Sequence, residues 1–87
     1  MFLYNCNPYS GRIMAVKEDK FLRAFGERLA KLRKSSGLSQ EELASRAGLH
    51  AVAITYIETG KRLPKLNTVY KLALGLDVKV EELFKGL

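Results

Sequence analysis

Apolar residues recur at intervals of three and four along most of this chain, a spacing that predicts helices. Phe21 or Leu22, Phe25, Leu29 and Leu32 fall on one side of a first helix, running from about Asp19 until Ser35, Ser36 and Gly37 end it. A second helix starts behind Ser39, whose hydroxyl can accept a backbone N–H while Glu42, three residues on, reaches back to the N–H of Ser39. Glu41 and Glu42 in its first turn and Arg46 in its last complement the helix dipole, and Leu43, Ala44 and Ala47 supply its apolar stripe. Gly48 can take the left-handed conformation that ends a helix, with Leu49 expected to plug the core beneath the turn. A third run, from about His50 to Thr59, turns Ile54 and Ile57 inward until Gly60 stops it. Residues 68–76 set Val69, Leu72, Ala73 and Leu76 on one side, and residues 80–87 predict a short closing helix with Leu83, Phe84 and Leu87. No strand period, internal repeat or low-complexity tract competes.

Residues 1–17 lack this periodicity and carry a cluster of Asn, Pro, Ser and Gly over positions 5–11, so they are read as a flexible leader ahead of a domain spanning 18–87. Met14 sits just before the periodic region. One reading is that translation begins there and the preceding residues are dispensable; the other is an arm that pairs with a partner subunit through Phe2, Leu3, Tyr4 and Tyr9.

Two short helices joined by a tight glycine turn, within GLSQEELASRAGLHAVAITYIETGKRLP at positions 37–64, have helix-turn-helix spacing. The resemblance extends over residues 25–87, about three quarters of the chain. It is carried by RLAKLRKSSGLSQEELASRAGLH, then I-x-x-I-E-x-G-K-R-x-P, L-x-T-V-x-K-L-A and VEELF. These strings resemble the Cro/repressor and Xre-type helix-turn-helix regulators, and also the small controller proteins of restriction-modification systems. The resemblance implies an all-α fold, a compact five-helix bundle whose third helix reads duplex DNA.

Composition agrees with a binder rather than a catalyst. A chain of 87 residues makes one small domain with a modest core, unsuited to a deep catalytic cleft. Fifteen Lys and Arg against nine Asp and Glu, with a pI near 9.7, favour a polyanionic partner. Cys6 is the only cysteine, which forbids an internal disulfide and fits a reducing cytoplasm, and His50 is the only histidine, so no metal cluster is expected. No apolar run approaches the roughly 20 residues that span a bilayer, and the basic start and apolar segment of a secretion signal are missing. A cytoplasmic protein without cofactor, metal or enzymatic activity is the expectation, since no nucleophile–base set or phosphate-cradling glycine loop can be assembled.

Recognition of a duplex needs clamps on phosphate and side chains that reach base edges. Carried over by position in the family's motif, Gln40 would hydrogen-bond a phosphate and brace the recognition helix, with Ser39 beside it at the helix start. Base reading would fall to His50, Ala51, Val52, Thr55 and Tyr56. Ala51 and Val52 depart from the polar residues often found there, leaving three routes to specificity: contacts to thymine methyls, a shift of reading to His50, Thr55 and Tyr56, or DNA shape. Lys61, Arg62 and Lys65 form a basic loop closed by Pro64 and suited to a phosphate ridge, with Asn67 near the positive end of the next helix. The resemblance further implies that Arg33 pairs with Glu58 as a structural ion pair that sets the angle of the recognition helix. Leu83, Phe84 and Leu87 are the expected homodimer contact, which would place two recognition helices about 34 Å apart on a roughly palindromic operator. Two other readings stay open: an antitoxin that holds a toxin while repressing its own promoter, and a protein-interaction module presenting the apolar Ala51 and Val52.

Overall fold

The computed structural model describes residues 10–87, with side chains from Asp19 onward. Its elements are α1 (Ser10–Ser35), α2 (Gln40–Ala47), α3 (Ala51–Glu58), α4 (Leu66–Leu76) and a closing 3-10 turn (Val80–Phe84). Helix α1 begins at Ser10, ahead of the apolar spacing that starts near Asp19. Positions 12–17 hold neither Gly nor Pro, so the backbone propagates the helix without an amphipathic signal. Residues 1–9, including the Phe2, Leu3, Tyr4 and Tyr9 of the expected arm, lie outside the described residues.

The core gathers one stripe from each element. Phe25 and Leu29 of α1 meet Leu43 and Ala44 of α2, Ile54 and Ile57 of α3, and Val69, Leu72, Ala73 and Leu76 of α4, with Leu83 closing the end. Leu38, in the link between α1 and α2, is buried with them, and Leu49 packs against the same cluster under the α2–α3 turn. Each fully buried leucine or isoleucine contributes about 2 kcal/mol of transfer free energy.

The turn between α2 and α3 follows its local chemistry. Gly48 has φ 71°, and its N–H and that of Leu49 return to carbonyls of the last turn of α2. Three residues therefore separate the end of α2 from the start of α3.

Among the described residues, four α-helices and a 3-10 turn stand where a five-helix bundle was expected. Residues 80–87 stop short of an α-helix because Arg28 Nε on α1 takes the Glu82 carbonyl at 2.8 Å, the acceptor that a continuing helix needs for Gly86, and Gly86 itself sits at φ 84°. A second Arg28 nitrogen lies 3.3 Å from Glu82 Oε1. Leu83 corrects another expectation. It is 0% exposed within its own chain, so it belongs to the core and is unavailable to a dimer contact, whereas Phe84 and Leu87 remain exposed.

Candidate nucleic-acid interface

Ser39 and Glu42 form a reciprocal cap at the start of α2. Glu42 N–H donates to Ser39 Oγ at 3.0 Å, and Ser39 N–H donates to Glu42 Oε1 at 2.8 Å. That backbone donor favours the charged carboxylate and holds Glu42 below the usual carboxylate range, with the Ser39 side chain acting in the same direction. Gln40, next in line, projects from the first turn of α2 toward α3.

There it joins a chain of hydrogen bonds that ties three helices together. The Thr55 hydroxyl donates to Gln40 Oε1 at 2.7 Å, and Gln40 Nε2 donates to Glu58 Oε1 at 2.9 Å. Glu58 in turn receives Arg33 of α1 in a two-pronged contact, Nε at 2.6 Å and Nη2 at 3.0 Å, while Arg33 Nη1 donates to the Leu38 carbonyl at 2.8 Å. Both side chains are nearly enclosed. The Glu58 hydrogen bond raises the Arg33 pKa above its ordinary value, so the guanidinium stays charged. An Arg with so many anchored donors fixes the C-terminal end of α3 in angle more than it adds net stability.

A close approach fixes the same end. Gly26 of α1 lies against the last turn of α3, where a side-chain carbon would overlap the carbonyl oxygens of Ile57 and Glu58. With Ile54 and Ile57 buried, the opposite face of α3 is left outward. His50 caps the helix by position, with its side chain making no cap bond, and is exposed; Val52 is 56% exposed; Tyr56 is exposed; Ala51 and Thr55 are half-buried. The Thr55 hydroxyl is already engaged with Gln40.

The loop after α3 is cationic and shaped. Gly60 has φ 74°, and the Lys61 N–H returns to the Tyr56 carbonyl at 2.8 Å. Lys61, Arg62 and Lys65 are exposed, as is Asn67 in the first turn of α4. The Arg62 guanidinium lies 5.0 Å from the centroid of the Tyr56 ring, within cation–π range. Separation in sequence concealed this contact; a basic residue six positions beyond an exposed aromatic, across a left-handed glycine, was its only signal. Of the expected DNA-facing residues, the structure brings Arg62 and Tyr56 into contact and turns Gln40 toward Thr55 and Glu58, while Ser39, His50 and Lys65 are exposed. The Phe84 ring lies 5.3 Å from that of Phe25 and 6.4 Å from that of Phe21, beside α1.

Comparison with known proteins bears on the family and the fold. A helix-turn-helix family profile matches residues 29–83. An uncharacterized HTH-type transcriptional regulator of Archaeoglobus fulgidus is 37% identical over 57 residues, 66% of this chain and 81% of that protein. The control protein C.MunI of a Mycoplasma species is 39% identical over 64 residues, 72% of this chain and 86% of its own. Among solved structures, the restriction-modification controller protein C.AhdI from Aeromonas hydrophila superposes with a TM-score of 0.72 at 44% identity, covering 72% of this chain and 96% of that one.

Proposed function

The chain belongs to the helix-turn-helix family of transcriptional regulators, and from that premise we propose that it binds duplex DNA in a sequence-specific manner, as a homodimer on a roughly palindromic operator. The observation that carries this reading is the outward face of α3, held in angle by Arg33, Gln40 and Gly26 and bordered by the exposed cations Lys61, Arg62 and Lys65. Helix α3 enters the major groove. His50 and Tyr56 offer polar groups to base edges, Ala51, Val52 and the Thr55 methyl offer apolar surface to thymine methyls, and groove shape adds to the reading. Phosphates are met by Ser39 and Gln40 at the start of α2, by the loop cations, and by Asn67 with the free N–H groups at the start of α4. The protein acts by occupancy and is not an enzyme. The controller proteins C.AhdI and C.MunI match it over nearly their whole lengths, so control of restriction-modification genes is the specific role we favour.

The test is affinity for random and for selected duplexes as salt is varied. A steep linear fall of log affinity with log salt is expected, and replacing Lys61 and Arg62 together by Ala flattens that slope by about two units. A slope near zero in the unaltered protein overturns DNA binding. The exposed, apolar Val52 favours a second reading, a protein-interaction module, and that flat salt profile is the result it requires.

A further inference from the structure

The loop after α3 holds one of its cations by a ring. Its backbone is tied to the last turn of the helix as far as Lys61: Thr59 N–H donates to the Thr55 carbonyl at 3.1 Å, Gly60 N–H to that of Ile57 at 3.1 Å, and Lys61 N–H to that of Tyr56 at 2.8 Å. Gly60 also rests on α1, where a side-chain carbon would stand 3.0 Å from Arg23 Cγ and 3.3 Å from Arg23 Cα. Arg62 follows the last of these bonds and is exposed. Among the described residues the ion pairs are Arg28 with Glu82 and Arg33 with Glu58, so the Arg62 guanidinium has no carboxylate partner there; what holds it is the Tyr56 ring, whose centroid is 5.0 Å away. Tyr56 is itself 39% exposed, so the pair sits at the surface, on the side of α3 that faces outward.

We propose that Tyr56 is a positioning residue for DNA, its ring setting the Arg62 guanidinium in place for a phosphate before any duplex arrives. The inference rests on the DNA reading above and gives the Tyr56 ring a role separate from any base contact of its hydroxyl. Three physical arguments carry it. A solvated arginine has several rotatable bonds, and clamping a phosphate freezes them; a side chain already laid on a ring has given up part of that freedom in the unbound protein. The ring attracts the cation through its quadrupole and consumes none of its N–H donors, so the planar fork that suits a phosphate stays available. The backbone completes the arrangement. Because the Tyr56 carbonyl holds the Lys61 N–H, the residue that anchors the start of the loop also anchors its cation.

The experiment measures what Arg62→Ala costs in affinity for a duplex selected by the unaltered protein, in three backgrounds: the unaltered full chain, Tyr56→Phe and Tyr56→Leu, with thermal melts of each as a check on folding. The cost is expected to be the same in the first two, since the ring is kept whatever the hydroxyl does, and about two- to fivefold smaller in Tyr56→Leu, where the arginine is no longer held. An equal cost in all three overturns the proposal, and so does a Tyr56→Phe background that behaves like Tyr56→Leu. A second measurement needs neither DNA nor a variant. In the NMR spectrum of the free, unaltered protein the δ-methylene protons of Arg62 are expected upfield of their ordinary position, shielded by the ring, and an ordinary position overturns the proposal as well. The two readings fail differently. A flat salt profile in the unaltered protein removes the DNA reading and the positioning role together, whereas equal Arg62→Ala costs on a steep profile remove the positioning role alone.

Discussion

Ser39 and Glu42 exchange hydrogen bonds at the α2 start, whereas Arg33 donates twice to Glu58 across the core edge, and the two pairs respond to different variables. The Glu42 carboxylate, held below its ordinary 4.5 chiefly by the backbone N–H of Ser39, contributes stability that is complete above that value and is lost as pH falls through the lower folded-state value. The melting-temperature gap between the unaltered protein and Glu42→Ala is therefore expected to be steady at neutral pH and to shrink below about pH 4.5. A gap that persists at lower pH refutes the charge-assisted cap. The Ser39–Glu42 pair was legible in the sequence because both partners lie within one turn. Arg33 and Glu58 are separated by 25 residues, and only family resemblance joined them; the same resemblance had Gln40 bracing the recognition helix, but its partners Thr55 and Glu58 were not legible, since those contacts exist only once the helices have packed.

At the scale of elements, each helix was legible where an apolar stripe and a stop signal coincide, as in α2 between Ser39 and Gly48. Ends set by tertiary contact were not. The closing turn is 3-10 because Arg28 captures a carbonyl from another element, and α1 runs further back than its amphipathic portion. Gly26 is the counterpart in packing. In an isolated helix a change to Ala would add up to about 1 kcal/mol of stability, but here the new methyl meets two carbonyl oxygens of α3. Gly26→Ala is expected to destabilise the fold by about 1–3 kcal/mol in urea titration and to weaken duplex binding with it, because α3 has to shift. Equal or greater stability in that variant would show that α1 and α3 are not in the contact described.

For the whole molecule, a net charge of +6 draws the protein to any polyanion, and in the homodimer proposed above selectivity comes from geometry shared between two copies. Pairing and binding are then linked by mass action, so occupancy of a palindromic site is expected to rise with the square of protein concentration while monomer predominates. Titration of labelled duplex checks this, and a simple hyperbola under those conditions excludes linked assembly. The exposed side of α4, which carries Leu66, Tyr70 and Leu74, escaped the sequence reading for a physical reason. One apolar side was enough to predict the helix, and these three do not announce by spacing alone that they miss the core. The enclosed Glu58 has a further consequence for anyone wishing to redirect such a protein to a new target. Its carboxylate and the Thr55 hydroxyl are committed to holding α3, so under the DNA reading proposed above His50, Val52 and, among aromatics, Tyr56 are the positions free to be rewritten; a transplanted helix lacking the other two would arrive with the right letters at the wrong tilt.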